Sequence, residues 1–228
     1  GSGIKESPFP VNTNEKFVSI SVGQEHSCGI ITNGSAMCWG KDDNGQVGNG
    51  IGTSDEEFPV LVDTTENFTS ISAGRDHTCG IISNGTAMCW GNNDQGQLGD
   101  GNKPTDTTKP VFVDTTEKFI SITTGFYHTC GLLSNGSAMC WGRNDEGQLG
   151  DDSENTDRPK PVFVDTTEKF ISIDAGNYFT CGLLFNGTAM CWGKNGDGQL
   201  GDSSFSQRNS PVFVDTTEKF ISIDAGNY

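Results

Sequence analysis

The chain has 228 residues, with 14 Lys and Arg against 30 Asp and Glu, for a formal net charge of −16. That balance, with no basic cluster, repels phosphate backbones and argues against nucleic-acid binding; the acidity itself serves solubility. Hydrophobic residues at 32% and 31 glycines suit short strands and tight turns rather than helices, and no stretch reaches the length of a membrane span or reads as a signal peptide.

Residues 1–7 read as a connector similar to the one before Pro59 (Gly48 to Phe58), or, in Gly1-Ser2-Gly3, as an expression scar. Repeats then start at Pro8, Pro59, Pro110 and Pro161, giving units 8–58, 59–109, 110–160 and 161–210, with a partial fifth at 211–228 that matches residues 161–178 throughout. Phe17, Phe68, Phe119, Phe170 and Phe220 step by 51, 51, 51 and 50. A period of this size means stacked supersecondary units, none able to bury its apolar face alone. Both ends read as cut from a longer array or ring.

Within the unit 161–210, Pro161 to Val164 is a short extended run, Asp165 to Glu168 turns, and Phe170 to Ile173 alternates as a strand that ends at Ala175-Gly176. Thr180 to Leu184 and Thr188 to Trp192 then flank Phe185-Asn186-Gly187 as a β-hairpin. Each unit carries Cys-x9-Cys-Trp-Gly, at Cys28/Cys38, Cys79/Cys89, Cys130/Cys140 and Cys181/Cys191. A two-residue loop would put the cysteines on opposite faces, whereas a three-residue loop with Gly in the left-handed region puts them opposite each other, at a close non-hydrogen-bonded pair. Four intra-hairpin disulfides and an oxidising compartment follow. Zinc is the competing use, but the pairs lack the close clustering of a zinc site.

After each hairpin comes a Gly-Gln-Leu-Gly or Gly-Gln-Val-Gly run, as at Gly198 to Gly201. The order strand, Ala-Gly, His-Thr, hairpin, Trp-Gly, Gly-Gln-Leu-Gly resembles the repeat of the regulator of chromosome condensation family over essentially the whole chain. The resemblance implies an all-β protein of four-stranded blades, here four units plus a partial fifth, in a propeller of about seven blades that serves as a platform for protein partners. The name-giving member's exchange activity and chromatin contacts rest on insertions and basic segments not visible here.

His26, His77 and His128 share one repeat position that holds Phe179 in the fourth unit, so they read as structural residues bonded to backbone rather than as catalytic bases. No nucleophile and base pair stands out; no enzyme activity, metal or cofactor is expected. Trp39, Trp90, Trp141 and Trp192 read as packing. The acidic turns at Asn92 to Gly96 and Arg143 to Gly147 lack the spaced carboxylates of a calcium loop. Asn33, Asn84, Asn135 and Asn186, with Asn67, each begin an N-glycosylation sequon; Asn-Gly also suits the turn, but the third residue keeps its hydroxyl, alternating Ser and Thr in the four hairpins.

The expected function is that of a non-enzymatic extracellular structural or interaction protein, a filament, sheath or surface appendage built of glycosylated blades. Its partners would be its own copies or other extracellular proteins, with no nucleic acid and no membrane span. The alternative is a secreted closed propeller that binds one protein or glycan; a third is a calcium-dependent adhesin. The array reading rests on the sameness of the units and their apparent continuation past both ends, with connectors that vary without aromatic or charged focus.

Overall fold

The computed structural model describes residues 10–52, 54–153 and 155–226. The connector expected at 1–7 and the repeat start at Pro8 lie outside the described residues. Among the described residues, sixteen strands form four antiparallel sheets, each a meander in chain order. The first blade is β1 (Phe17–Val22), β2 (His26–Ile31), β3 (Ala36–Gly40) and β4 (Glu56–Leu61). The second is β5 (Phe68–Ala73), β6 (His77–Ile82), β7 (Ala87–Gly91) and β8 (Thr107–Phe112). The third is β9 (Phe119–Thr124), β10 (His128–Leu133), β11 (Ala138–Gly142) and β12 (Arg158–Phe163), and the fourth β13 (Phe170–Ala175), β14 (Phe179–Leu184), β15 (Ala189–Gly193) and β16 (Arg208–Phe213). The first strands β1, β5, β9 and β13 pack on one another in turn and form the inner side of the array.

Units counted from the prolines are phased differently from these sheets. Pro59, Pro110, Pro161 and Pro211 fall in β4, β8, β12 and β16, each the outer edge strand of the preceding blade, where Val162, for example, pairs with Cys140. A period has no origin of its own. Hydrogen bonding chooses one, and a residue without an N–H is tolerated on an edge strand. Beyond β16, Phe220 N–H donates to the Gly187 carbonyl as Phe170 N–H does to that of Gly136, so residues 214–226 lie as the start of a further unit.

The hairpins turn as their cysteine spacing demands. In the third blade Gly136 N–H donates to Leu133 O at 3.0 Å, Leu133 N–H to Ser137 O at 2.9 Å, and Gly136 has φ 79°. This three-residue loop puts Cys130 directly opposite Cys140, Cα atoms 4.1 Å apart, joined as a disulfide. Cys28–Cys38, Cys79–Cys89 and Cys181–Cys191 are joined in the same way, and no free cysteine remains.

Across the first three seams the cores are shared between neighbouring blades. One core packs Cys28, Ile30, Cys38 and Val47 of the first blade on Phe68, Ile82, Met88 and Trp90 of the second. The second and third blades repeat this with Cys79, Cys89 and Leu98 on Phe119, Met139 and Trp141. Each seam is also bonded in polar fashion. The Gln97 carbonyl accepts from Trp141 Nε1 at 2.9 Å and from Thr129 Oγ1 at 2.9 Å, and Thr129 Oγ1 lies 2.9 Å from His77 Nε2. The carbonyl can only accept, so the single hydroxyl proton goes to it; His77 Nε2 must then donate to the threonine oxygen. Gln46 with Trp90, Thr78 and His26, and Gln148 with Trp192, Thr180 and His128, repeat the set. The histidines, expected to bond backbone, thus bond a threonine of the following blade. The reason is geometric: the second strand faces its neighbour across the seam.

Burial pushes the pKa of His26 down to about 4 and those of His77 and His128 to about 3. Folded values below the unfolded value of about 6.5 mean that the stabilisation is complete above that pH and is lost as pH falls, because only the unfolded chain takes up the protons. At pH 5 the cost reaches about 2 kcal/mol per histidine. Asp42, with its pKa pushed up to about 6 by burial, acts in the opposite sense. The melting temperature should fall between pH 7.5 and 5, and His77→Phe with His128→Phe, copying the natural Phe179, should flatten that dependence. Equal slopes for the two proteins in calorimetry would contradict the buried neutral histidines.

Candidate functional site

The turn from the first to the second strand of each blade starts with a glycine whose N–H donates to the carbonyl of the residue opening the second strand, as Gly74 does to His77 at 2.9 Å. These glycines crowd one another along the inner side. A Cβ on Gly23 would lie 2.3 Å from Gly74 O, and one on Gly125 would lie 2.4 Å from Gly176 O. No larger residue fits that column, so the two residues after each glycine are gathered at one end of the inner strands. They are Gln24-Glu25, Arg75-Asp76, Phe126-Tyr127 and Asn177-Tyr178.

The gathered side chains form one cationic and aromatic cluster. Arg75 Cζ sits 4.0 Å from the Phe126 ring centre and 5.0 Å from that of Tyr127, whose hydroxyl accepts from its guanidinium. Arg143 Cζ lies 5.3 Å from the Tyr127 ring and 5.2 Å from that of Tyr178. Phe126 and Tyr178 rings are 5.5 Å apart. Asp76, at 3.0 Å from Arg75 Nε, and Asp145, paired with Arg143, hold the guanidinium groups in place; burial raises the Asp76 pKa above the usual carboxylate value. Beside the cluster is a cavity of about 220 Å³ lined by Gln24, Arg75, Phe126, Asn177 and the glycines. Asn177 is buried, 5% exposed, and its Oδ1 has no hydrogen-bond partner. Stacked arginine and aromatic side chains, half-buried and pre-oriented, are the residue types that dominate protein interfaces; the open Asn177 oxygen is ready to accept an N–H.

The residues singled out by sequence lie elsewhere. The eight cysteines are buried in the sheets. Asn33, Asn84, Asn135 and Asn186 are exposed at the β2–β3, β6–β7, β10–β11 and β14–β15 hairpin tips, where each Oδ1 accepts the N–H two residues on, at 2.9 to 3.0 Å. Asn67 is exposed before β5, and its Cβ lies 3.0 Å from where a Cβ on Gly34 would be, so it sits beside the first tip. These tips stand at the far end of the second strands from the cluster, about 17 Å away for a six-residue strand. Trp90, Trp141 and Trp192 are fully buried. Among the described residues no group of three His, Cys, Asp or Glu side chains is placed to hold a metal ion. Sequence reasoning missed the axial cluster, although a signal exists: units near-identical elsewhere differ in kind at the two positions after this glycine.

A family model described as the RCC1-like domain matches residues 2–228. The human probable E3 ubiquitin-protein ligase HERC6 is 30% identical over 191 residues, 81% of this chain and 19% of that protein. The structure of Prp20p from Saccharomyces cerevisiae, described with its binding to Gsp1p and histones, superposes with a TM-score of 0.84 at 21% identity, over 94% of this chain and 54% of that one; this is a likeness of fold. The receptor kinase CR4 ectodomain of Physcomitrella patens is 28% identical with a TM-score of 0.52, over 79% of this chain and 40% of that one. The chain thus spans about half or less of the length of each.

The cluster is half-exposed, whereas the seams are dry, and this separates the two in mutagenesis. Arg75→Ala and Arg143→Ala should each change unfolding free energy by less than about 1 kcal/mol. Trp141→Phe, which removes the indole donor to Gln97, should cost about 1–3 kcal/mol in urea titrations.

Proposed function

Because the chain belongs to the RCC1-like domain family, we propose that it is a non-enzymatic docking platform, outside the cell, that binds a protein partner through the axial face of Arg75, Phe126, Tyr127, Arg143 and Tyr178. The observation that carries this reading is the concentration of arginine and aromatic side chains at one end of otherwise near-identical blades. Such clusters supply large contact area at low entropy cost. The filament or sheath reading rested on the sameness of the units and their apparent continuation, and the axial turns are positions at which the units differ pointedly.

The extracellular placement is supported by the pairing of all eight cysteines, a state suited to oxidising compartments. Likeness to a receptor-kinase ectodomain points the same way. Glycans on Asn33, Asn67, Asn84, Asn135 and Asn186 would project from the end of the blades opposite the cluster and leave the docking face open. The activities of HERC6 and the partners of Prp20p are properties of those proteins.

Two measurements test the reading. The chain secreted from eukaryotic cells should lose mass on deglycosylation in steps, and Asn84→Gln should remove one step; an unmodified secreted chain would refute the glycan assignment. In a screen against displayed extracellular proteins, Arg75→Ala with Phe126→Ala and Tyr178→Ala should weaken any specific hit at least tenfold, about 1.4 kcal/mol. Undiminished binding would place the docking surface elsewhere.

A further inference from the structure

The loop between the third and fourth strands is built alike in every blade, with one exchange in the first. In blades two, three and four it opens on a buried asparagine: Asn93, Asn144 and Asn195. The Oδ1 of each caps the turn by accepting the N–H of Leu98, Leu149 or Leu200. The Nδ2 of each donates to an aspartate seven residues on and to a main-chain carbonyl nine residues on; for Asn195 these are Asp202 Oδ1 at 2.9 Å and Ser204 O at 3.1 Å. Asn93 meets Asp100 and Asn102 O in this way, and Asn144 meets Asp151 and Ser153 O.

The first blade keeps the geometry and changes the chemistry. Asp42 stands in place of the asparagine, fully buried, and its Oδ1 accepts the Val47 N–H at 2.8 Å as the asparagines do. Its own N–H donates to Asp55 Oδ1 at 3.0 Å, matching Asn93 to Asp106 and Asn144 to Asp157. Asn49 stands in place of the aspartate, and its Oδ1 accepts the Ile51 N–H at 3.0 Å, as Asp100 Oδ1 accepts that of Asn102. With the frame held in this register, Asp42 Oδ2 takes the place of the donating amide. In the other blades that position gives its N–H groups to the side chain seven residues on and the carbonyl nine residues on; a carboxylate oxygen has none to give, and Asp42 Oδ2 has no hydrogen-bond partner.

The surrounding charge shifts in the same direction. Where the third and fourth blades set Arg158 and Arg208 against Asp151 and Asp202, the first has Glu56, whose Oε1 accepts from Asn49 Nδ2 at 2.7 Å. A cavity of about 30 Å³ lined by Asn49, Ile51, Gly52, Ser54 and Glu56 adjoins the loop. It exceeds the ~10–15 Å³ that one water-sized sphere requires.

We propose that this loop of the first blade binds a calcium-type cation, with Asp42 Oδ2, Asn49 Oδ1 and the Ile51 carbonyl as protein ligands and Glu56 close by. An all-oxygen ligand set of mixed carboxylate, amide and carbonyl donors is what calcium takes, and few charged ligands place the affinity in the weak range of extracellular modules, about 10⁻⁴–10⁻³ M. The competing occupant is a proton. Burial, with Glu56, Asp55 and Asp43 nearby, pushes the Asp42 pKa up to about 6 against the Val47 hydrogen bond.

Asp42→Asn tests this, because it installs the residue that the other three blades carry. In calorimetry at pH 7.5, millimolar calcium chloride should raise the melting temperature of the wild-type chain by several degrees and leave Asp42→Asn unmoved, while in chelator Asp42→Asn should melt higher than wild type. Glu56→Gln, outside the turn-capping bonds, should fold normally and require severalfold more calcium for the same shift. Equal calcium responses in wild type and Asp42→Asn would overturn the site. So would a wild type indifferent to calcium whose deficit against Asp42→Asn disappears below about pH 6, since a proton alone would then fill the loop.

Discussion

In each of the first three blades one carbonyl bears two donors from the blade that follows. Gln46, Gln97 and Gln148 each accept an indole N–H and a threonine hydroxyl across the seam, and most of the recurring residues answer to that arrangement. The leucine or valine after the glutamine enters the shared core. The glycine after that has φ near 70°, and a Cβ there would come within 2.5 to 2.7 Å of the tryptophan Nε1. The Gly-Gln-Leu-Gly run is thus a socket for the neighbour's tryptophan. A buried carbonyl with two firm partners fixes angle as well as distance, and apolar packing alone would let adjacent blades slide.

What was legible in the residues was whatever one unit decides for itself. The cysteine spacing, the bulged turn with Gly136 in the left-handed region and the meander of short strands all come from alternation and loop length within some thirty residues. Relations between units were less visible. The histidine partner was misassigned because its threonine lies 52 positions away, and a repeat by itself does not reveal which strand closes a sheet. The axial cluster escaped because Arg75, Phe126 and Tyr178 come from separate blades; each looks unremarkable in its own turn and gains meaning only when the glycine column brings the turns together.

Sameness and difference divide along physical lines. Positions in the shared cores and in the glutamine, tryptophan and threonine sets hardly vary, since a change there must be matched on the other side of a seam. Two sets have diverged in chemistry: the pair after the axial glycine, and the Asp42–Asn49 exchange in the first blade. The hairpin tips behave differently again. Gly34, Gly85 and Gly136 carbonyls accept the N–H of Phe68, Phe119 and Phe170 in the next blade. The left-handed φ of 79° to 89° at these positions calls for glycine, and the exposed asparagine beside it closes the turn on the N–H two residues on.

The disulfides close loops inside single hairpins and never link one blade to the next. Under a pulling force the chain would behave as beads on a string. A seam would part first, and strands outside the hairpin would pay out, but the nine residues between paired cysteines would stay closed. That withholds about 30–35 Å of extension per blade. Such a chain lengthens in repeated, truncated steps, and each blade keeps a covalently held template on which its remaining strands can re-form when tension is released.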